Sequence, residues 1–456
     1  MSLEIVILAA GQGTRMRSSL PKILHKLGDR PLLEHVYALA SRLRPDKISV
    51  IYGHGGEKVL RTLEHLNVVW VEQREQLGTG HAVMQVADDI DEARTVLILY
   101  GDVPLLGQVT VEKLIPLAQA DQLGLLTVNL PDPYGYGRVV RDGSGRVIKI
   151  VEEKDATEDE RKIREVNTGI LAIKGKHLKT WLGRLENNNA QREYYLTDVI
   201  AMAVVDGVRV ETVQPRDPDE VLGVNDREQL AYLERVFQRK LAQDLMRNGV
   251  TLRDPSRFDL RGQIESVGRD VEIDINVVLE GRVKIGDNVR IGANCVIKNS
   301  EIGNGVEILP NCVIEGAVIG ESSRIGPFAR IRPETRIESH VHVGNFVEVK
   351  KSVIADGSKV NHLSYIGDTI IGRDVNVGAG TITCNYDGAN KHQTIIEDGA
   401  FIGSDTQLVA PVRIGRNATI GAGATITRDA PENALTLSRA KQVTVEGWQR
   451  PTKKRS

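Results

Sequence analysis

The sequence lacks most of the compositional features that would announce a function by themselves. It has only three cysteines, Cys295, Cys312 and Cys384, too few and too scattered for a disulfide framework, which favours a reducing compartment. Net charge is nearly absent: 59 basic against 61 acidic side chains leave −2. No global field therefore draws the chain to nucleic acid or to an anionic membrane, and any anion site must be local. Long hydrophobic runs are missing too, since no uncharged apolar stretch approaches the roughly 20 residues that span a bilayer. The N-terminus MSLEIVILAAGQG places an acid before a short apolar run, unlike a secretory signal. A cytoplasmic protein is expected, without nucleic acid and without membrane insertion. Aromatic residues make up only 4% while glycine reaches 44 of 456, so part of the chain is expected to pack small aliphatics in place of rings. The length admits two or three domains with ample cores.

What the sequence does contain changes character along its length. From Leu3 to about Val224, short aliphatic runs alternate with amphipathic stretches, and residues 5–8, 48–52, 68–71 and 96–99 read as buried strands. That alternation predicts a parallel sheet covered by helices. The segment Arg227–Arg247 carries Leu230, Leu233, Val236, Phe237, Leu241 and Leu245 at three- and four-residue steps, after the cap-like Asn225 and Asp226. One long linking helix is expected there.

Beyond about Ile273 the period becomes six. Ile285, Ile291 and Ile297 keep the step, as do Ile302, Ile308 and Ile314, then Ile319, Ile325, Ile331, Ile337, Val343 and Val349. The series resumes at Ile366, Ile371 and Val377, and runs through Ile396, Ile402, Leu408, Ile414, Ile420 and Ile426. Many of these residues are followed directly by glycine. A period of six fits neither a helix nor a flat strand; it fits a parallel β-helix, in which three hexads make one triangular coil with aliphatics stacked inward and glycine or asparagine at the corners. The step fails between Val349 and Ile366, and again between Ile382 and Ile396, where TCNYDGANKHQT is expected to leave the coil as a loop. Insertions on one face of a repeat protein are often binding elements. From Ser438 the period is lost, and Lys453, Lys454 and Arg455 read as a solvated end.

Chemistry concentrates in a few strings. Residues 8–22, LAAGQGTRMRSSLPK, follow the first strand; Gly11 and Gly13 let backbone amides approach a phosphate, and Arg15 and Lys22 add charge. The spacing matches neither the Walker loop nor the dinucleotide fingerprint. In EQREQLGTGHA, Gln73 and the Gly78-Thr79 turn can read the hydrogen-bonding edge of a pyrimidine. In LYGDVP, Asp102 sits at the carboxyl end of a strand, where α/β sheets place ligands, and a carboxylate facing a triphosphate is a natural Mg²⁺ ligand. Farther on, FARIRPET, NFVEVKKS, KVNHLSYIGD and TCNYDGANK bring His362, a proton acceptor suited to neutral pH, together with the cations Arg332 and Lys350. His340 and His342 alternate on one strand, and Cys384 lies eight residues before His392; neither arrangement has the spacing of a structural zinc site.

The L-x-x-G-x-G-T-x-M string with its downstream Pro-Lys resembles the sugar nucleotidyltransferases, or pyrophosphorylases. Joined to a hexapeptide-repeat half, the whole chain resembles the bacterial family of bifunctional N-acetylglucosamine-1-phosphate uridyltransferases and glucosamine-1-phosphate N-acetyltransferases. The resemblance implies an α/β, Rossmann-like mixed-sheet nucleotidyltransferase domain over residues 1–228 and a linker helix over 229–249. A left-handed parallel β-helix acetyltransferase domain would follow over 250–437, with a tail over 438–456. It implies acetyl transfer from acetyl-CoA to glucosamine-1-phosphate, then uridyl transfer from UTP to N-acetylglucosamine-1-phosphate, with Mg²⁺ as cofactor, a homotrimer as the assembly and cell-wall synthesis as the destination.

By the same resemblance, Leu8, Ala9, Ala10, Gly11, Arg15, Lys22, Gln73, Gly78, Thr79, Tyr100 and Gly101 contact the nucleotide. Gly137, Glu152 and Asn167 hold the sugar, and Asp102 with Asn225 binds Mg²⁺. Gln12 stands where many members carry lysine, which removes one phosphate-facing charge and leaves the backbone cradle. In the second half His362 is the implied general base, and Arg332, Lys350, Tyr365 and Asn376 bind the amino sugar phosphate. Ala379, Asn385, Tyr386, Ser404, Ala422 and Arg439 line the implied acetyl-CoA groove. Two rivals stand beside this reading: a single-activity nucleotidyltransferase whose β-helix is a regulatory or assembly module, and a noncatalytic binding subunit. The His362 neighbourhood speaks against the first, and the retention of Lys22, Asp102 and Asn225 against the second.

Overall fold

The apolar run after Ser2 becomes the central strand of the first half, buried along its whole length: β1, Leu3–Ala9. The structure is a computed structural model that describes residues 2–53, 55–451 and 453. It divides into two units, Met1–Phe237 and Gln238–Ser456. Lys454 and Arg455 lie outside the described residues, and residues 438–451 are exposed without regular structure. Among the described residues no helix is long and apolar enough to cross a membrane.

In the first unit β1 pairs in parallel with β2, Lys47–Tyr52, on one side, and with β4, Thr95–Tyr100, on the other. β3, Val69–Glu72, extends the sheet beyond β2. Its residues are partly exposed, so the expected burial of residues 68–71 is corrected: β3 is an edge strand with one neighbour. Past β4 the sheet becomes mixed. β5, Leu123–Asn129, and the hairpin of β6, Arg138–Arg141, and β7, Val147–Val151, are followed by β8, Glu165–Lys174, and β9, Val210–Val213. β8 runs antiparallel between β4 and β5, giving the order β9-β5-β8-β4-β1-β2-β3. Separate apolar clusters pack against its two faces.

The second unit is a parallel β-helix whose inward residues form three columns. One runs Ile273, Ile291, Ile308, Ile325, Val343, Val360, Val377, Ile402, Ile420. Each coil therefore takes 17 or 18 residues, except where Val377 pairs with Ile402 and a loop of about eight residues, near 385–393, is inserted. The expected loop is there. The other expected break, between Val349 and Ile366, does not occur: Ile354 and Val360 are fully buried and paired with the coils on either side. A 17-residue coil has one five-residue edge, and the step from Val349 to Ile354 is such an edge. At the second break the inward position belongs to Thr383, fully buried, and not to Ile382; the Thr383 hydroxyl accepts from Gly367 N at 2.8 Å, which satisfies it inside the coil.

One corner of the β-helix carries a second pattern. Asn276, Asn294 and Asn311 have φ of 57°, 61° and 62° and form a side-chain ladder, with Nδ2 to Oδ1 distances of 2.9 and 3.2 Å. Asparagine tolerates this left-handed geometry well. On the next coils the corner passes to Phe328, Phe346 and Leu363, still at φ of 54°, 56° and 50°. All three are exposed, and the two rings stack with centroids 5.2 Å apart.

Because the aliphatic columns are the only continuous core of this unit, truncation within one should act on it alone. Ile331→Ala, between Ile314 and Val349, is expected to destabilise the β-helix by about 2–5 kcal/mol. Chemical denaturation followed by circular dichroism should show the β-helix transition moving while that of the α/β unit stays; an unmoved β-helix transition would mean that the columns do not carry its stability.

Candidate active sites

The first site is built where three chain segments meet at the carboxyl ends of β1 and β4. Leaving β1, the chain turns at Gly13, whose φ is 61° and where a Cβ would stand 2.7 Å from that of Lys22. Only glycine fits that close return, and the return brings Lys22 back to the strand ends. Past β4, Gly101 N donates to Leu8 O at 2.9 Å and Val224 N donates to Asp102 O at 2.9 Å. These bonds put Asp102 and Asn225 beside Lys22. The Lys22 ammonium donates to the Asp102 carboxylate and, at 3.2 Å, to Asn225 Oδ1.

Above this cluster opens a cavity of about 530 Å³. Of the residues singled out in the sequence, Leu8, Ala9, Ala10, Gly11, Lys22, Gln73, Gly78, Thr79, Tyr100, Asp102 and Asn225 line it. Gln12, Gln76 and Glu193 line it as well. Gln76 lay unused within EQREQLGTGHA; nothing in the sequence marked Glu193. Gly101 is buried behind the wall, against Leu33 and Ala9. Arg15 is exposed on the short turn Thr14–Met16, outside the lining.

Gly137, Glu152 and Asn167 form a neighbouring cluster. Asn167 N donates to Gly137 O at 2.8 Å, and a Cβ on Gly137 would lie 3.3 Å from both Glu152 carboxylate oxygens. The Thr197 hydroxyl donates to Glu152 Oε1 at 3.0 Å. Burial pushes the Glu152 carboxyl above its ordinary range, and the Asp198 and Asp155 charges add to the rise. Tyr100 joins this cluster to the cavity: its phenol is pushed far up by burial, then by the charges of Glu152 and Asp102. A neutral hydroxyl flanked by two carboxylates is a fixed hydrogen-bonding group.

In the β-helix, His362 ends the strand Lys359–His362 in an unbroken coil, not at a break in the repeat. Its Nδ1 lies 2.8 Å from Asn345 Oδ1 one coil away, where the two residues are register partners. If Nδ1–H donates to that oxygen, Nε2 is left with its lone pair, as a general base requires. Asn345 lay within NFVEVKKS; only the stacking of coils reveals its partner. Gly380 N donates to His362 O at 3.2 Å, Asp405 N to Ala379 O at 2.7 Å, and Gly423 N to Ser404 O at 2.8 Å. Ala379, Ser404 and Ala422 thus follow His362 up one corner, and the Arg439 guanidinium reaches Gly421 beside Ala422. Asn376 stands on the adjoining strand, paired with Lys359 and Phe401.

Cations collect on the neighbouring face. Arg332 Nη1 binds Glu348 Oε1 at 2.7 Å, and Glu348 is the register partner of Tyr365. Lys391, on the inserted loop, lies against Lys350, and that contact lowers its pKa, with Asp368 and Tyr365 nearby. Two ammonium groups held together are a receptor for an anion. Lys391 stood in the quoted TCNYDGANK string without being chosen. In the same loop Asn385 donates to Asp368 at 2.5 Å, while Tyr386 is exposed.

Residues 5–143 match the MobA-like NTP transferase domain, 264–335 the GMPPB C-terminal domain, and 393–428 the bacterial transferase hexapeptide (six repeats). The bifunctional protein GlmU of Methylococcus capsulatus is 66% identical over 455 residues, covering 100% of this chain and 99% of its own. That of Aromatoleum aromaticum is 60% identical with 100% of both chains covered, and that of Nitrosospira multiformis 58% identical with 99% and 98% covered. A solved UDP-glucose pyrophosphorylase complexed with UDP-glucose aligns with 53% of this chain and 100% of its own, at 14% identity and a TM-score of 0.43.

The environment of Glu152 has a measurable consequence. Because its carboxyl holds a proton more tightly in the folded state than in the unfolded chain, its charge opposes folding at neutral pH, and the opposition fades as pH falls below the ordinary value of 4.5. Glu152→Gln should therefore raise the melting temperature of the first unit at pH 7, with the gain shrinking to nothing below about pH 4. A gain that persists unchanged in acid would separate it from the charge.

Proposed function

The chain belongs to the family of bifunctional GlmU proteins, and from that membership we propose how its two halves divide two reactions. It is a bifunctional enzyme. Its β-helix half acetylates glucosamine-1-phosphate with acetyl-CoA, and its α/β half joins the acetylated sugar phosphate to UMP from UTP, releasing pyrophosphate. The product, UDP-N-acetylglucosamine, feeds cell-wall synthesis, and substrates such as UTP and acetyl-CoA put the work in the cytoplasm. The observation that carries the division is that each half has its own set of reactive groups: Lys22, Asp102 and Asn225 in one, His362 with Asn345 in the other.

In the α/β half, a phosphate oxygen of N-acetylglucosamine-1-phosphate attacks the α-phosphorus of UTP, and the bond to the bridging oxygen of pyrophosphate breaks. Gln73, Gly78 and Thr79 hold the base, with Tyr100 and Gly101 at the strand end behind the sugar of the nucleotide. The backbone of residues 8–11 cradles the phosphates, and Lys22 and Arg15 neutralise the departing charge. Gly137, Glu152 and Asn167 hold the acetylated sugar. Asp102 and Asn225 fit Mg²⁺: they offer hard oxygens that already converge on one cation, the Lys22 ammonium. When bound, the ion supplies further neutralisation of phosphate charge.

In the β-helix half, the amine of glucosamine-1-phosphate attacks the thioester carbonyl, its proton passes to His362 Nε2, and the carbon–sulfur bond breaks to release coenzyme A. Asn345 holds the ring. Arg332, Lys350 and Lys391 bind the sugar phosphate with Tyr365 and Asn376, while Ala379, Asn385, Tyr386, Ser404, Ala422 and Arg439 line the groove for acetyl-CoA.

The protein works as a homotrimer. The support is the corner ladder of Phe328, Phe346 and Leu363, where exposed apolar side chains hold a backbone geometry that costs about 1–2 kcal/mol for an ordinary residue. The ladder adjoins Asn345 and His362 in sequence, so a second copy docked there would border the acetyltransferase site.

Two variants should separate the reactions. Asp102→Ala should abolish uridyl transfer and spare acetyl transfer; His362→Ala should slow acetyl transfer about 10²- to 10⁴-fold and spare uridyl transfer. Parallel loss of both activities in either variant would sink the division. Phe346→Asp should yield monomers by light scattering, with acetyl transfer reduced at least about tenfold and uridyl transfer kept; an intact, fully active trimer would move the interface elsewhere.

A further inference from the structure

Gln73 stands at the base-reading end of the first cavity, and its orientation is not free. Its side chain is 3% exposed. One end of its amide lies 3.2 Å from Gly78 O and 3.0 Å from Nδ1 of His81. A carbonyl oxygen only accepts, so that end is the amide nitrogen. With one N–H on Gly78, the second points at His81 Nδ1, which closes the bond only when it carries the lone pair, that is, when the imidazole is neutral with its proton on Nε2.

A competing contact exists on the far side of the ring. Nε2 of His81 lies 3.2 Å from the amide nitrogen of Gln85, which also donates to the His81 carbonyl at 3.0 Å. A neutral imidazole has one acceptor nitrogen, so only one glutamine can donate to it. Burial decides between them: Gln73 is enclosed, where an unmet donor is costly, whereas Gln85 is partly exposed and water can take its second N–H. The ring itself is held beside Tyr194, with centroids 6.2 Å apart, and Gly80 N donates to Tyr194 O at 2.8 Å.

The consequence falls on the other end of Gln73. With its nitrogen engaged twice, Oε1 is left for the cavity as an acceptor. Uracil presents a donor, N3–H, on its pairing edge; cytosine presents an acceptor at N3. An amide turned over would face the base with its nitrogen and would suit cytosine instead. We infer that His81 is a specificity-determining positioning residue: it locks the Gln73 amide in the orientation that admits a uracil nucleotide and opposes a cytosine nucleotide. The inference rests on the uridyltransferase reading of this half.

The test is the ratio of kcat/KM for UTP over CTP, measured on the full chain with saturating N-acetylglucosamine-1-phosphate. His81→Phe keeps a ring beside Tyr194 and removes the acceptor; the ratio should fall at least about tenfold. His81→Asn, whose Oδ1 can stand near the place of Nδ1, should restore most of it, while His81→Gln, whose acceptor sits farther out, should not. If the phenylalanine variant does not fold, as judged by melting temperature, the asparagine and glutamine variants carry the comparison alone. Equal losses on both nucleotides, an unchanged ratio, or identical ratios for asparagine and glutamine would overturn the inference. Failure of the wild type to use UTP would instead overturn the underlying uridyltransferase reading, and the two failures are distinguished by that control.

Discussion

Parallel strand pairing is the constraint on which both halves depend. Two parallel neighbours cannot be joined by a tight hairpin, so every connection must travel back before the next strand begins. In the first unit the return runs through helices and collects the loops after β1 and β4 at one edge of the sheet, which is why Lys22, Asp102 and Asn225 meet although 80 and 203 residues separate the partners. In the second unit the return is the rest of the coil, so a residue's neighbour is the one 17 or 18 places on. Asn345 and His362, or Ala379 and Ser404, become adjacent by counting coils and not by any local signal.

The two sites differ in how they treat charge. The first encloses it: Glu152 and Tyr100 are driven toward their neutral forms by burial, and the one free-standing carboxylate of the floor, Asp102, is met by Lys22. Such a site gives up folding stability for groups already fixed in place before the substrate enters. The second leaves charge at the surface. Arg332, Lys350 and Lys391 are at most partly buried, and their mutual repulsion is relieved by Glu348 and Asp368 or by an arriving phosphate. Salt should weaken that surface more than the enclosed one.

Much of this was legible in the sequence, because repeated packing leaves a repeated mark. The aliphatic period, the inserted TCNYDGANK loop and the glycine turn after the first strand each reflect a single local requirement. What escaped was whatever depends on a neighbour far away in the chain. The five-residue edge at Val349–Ile354 looked like a break, since hexad counting has no place for coils of 17 residues. Thr383 took an inward position that hydrophobicity assigned to Ile382, because its hydroxyl finds Gly367 inside the coil. Val69 and its neighbours read as buried strand, yet nothing in their composition says that β3 has a partner on one side only. Glu193 reaches the first cavity from a segment without regular structure, and no pattern marks it.

The corner where asparagines give way to phenylalanines has a bearing on quality control in the cell. Phe328, Phe346 and Leu363 are 17 or 18 residues apart and come into line only when three successive coils have closed with the right length. A chain with a slipped coil would scatter them and present no continuous apolar strip. Association through that strip therefore admits only chains whose coils are already correctly wound, and the assembly step inspects the fold that precedes it.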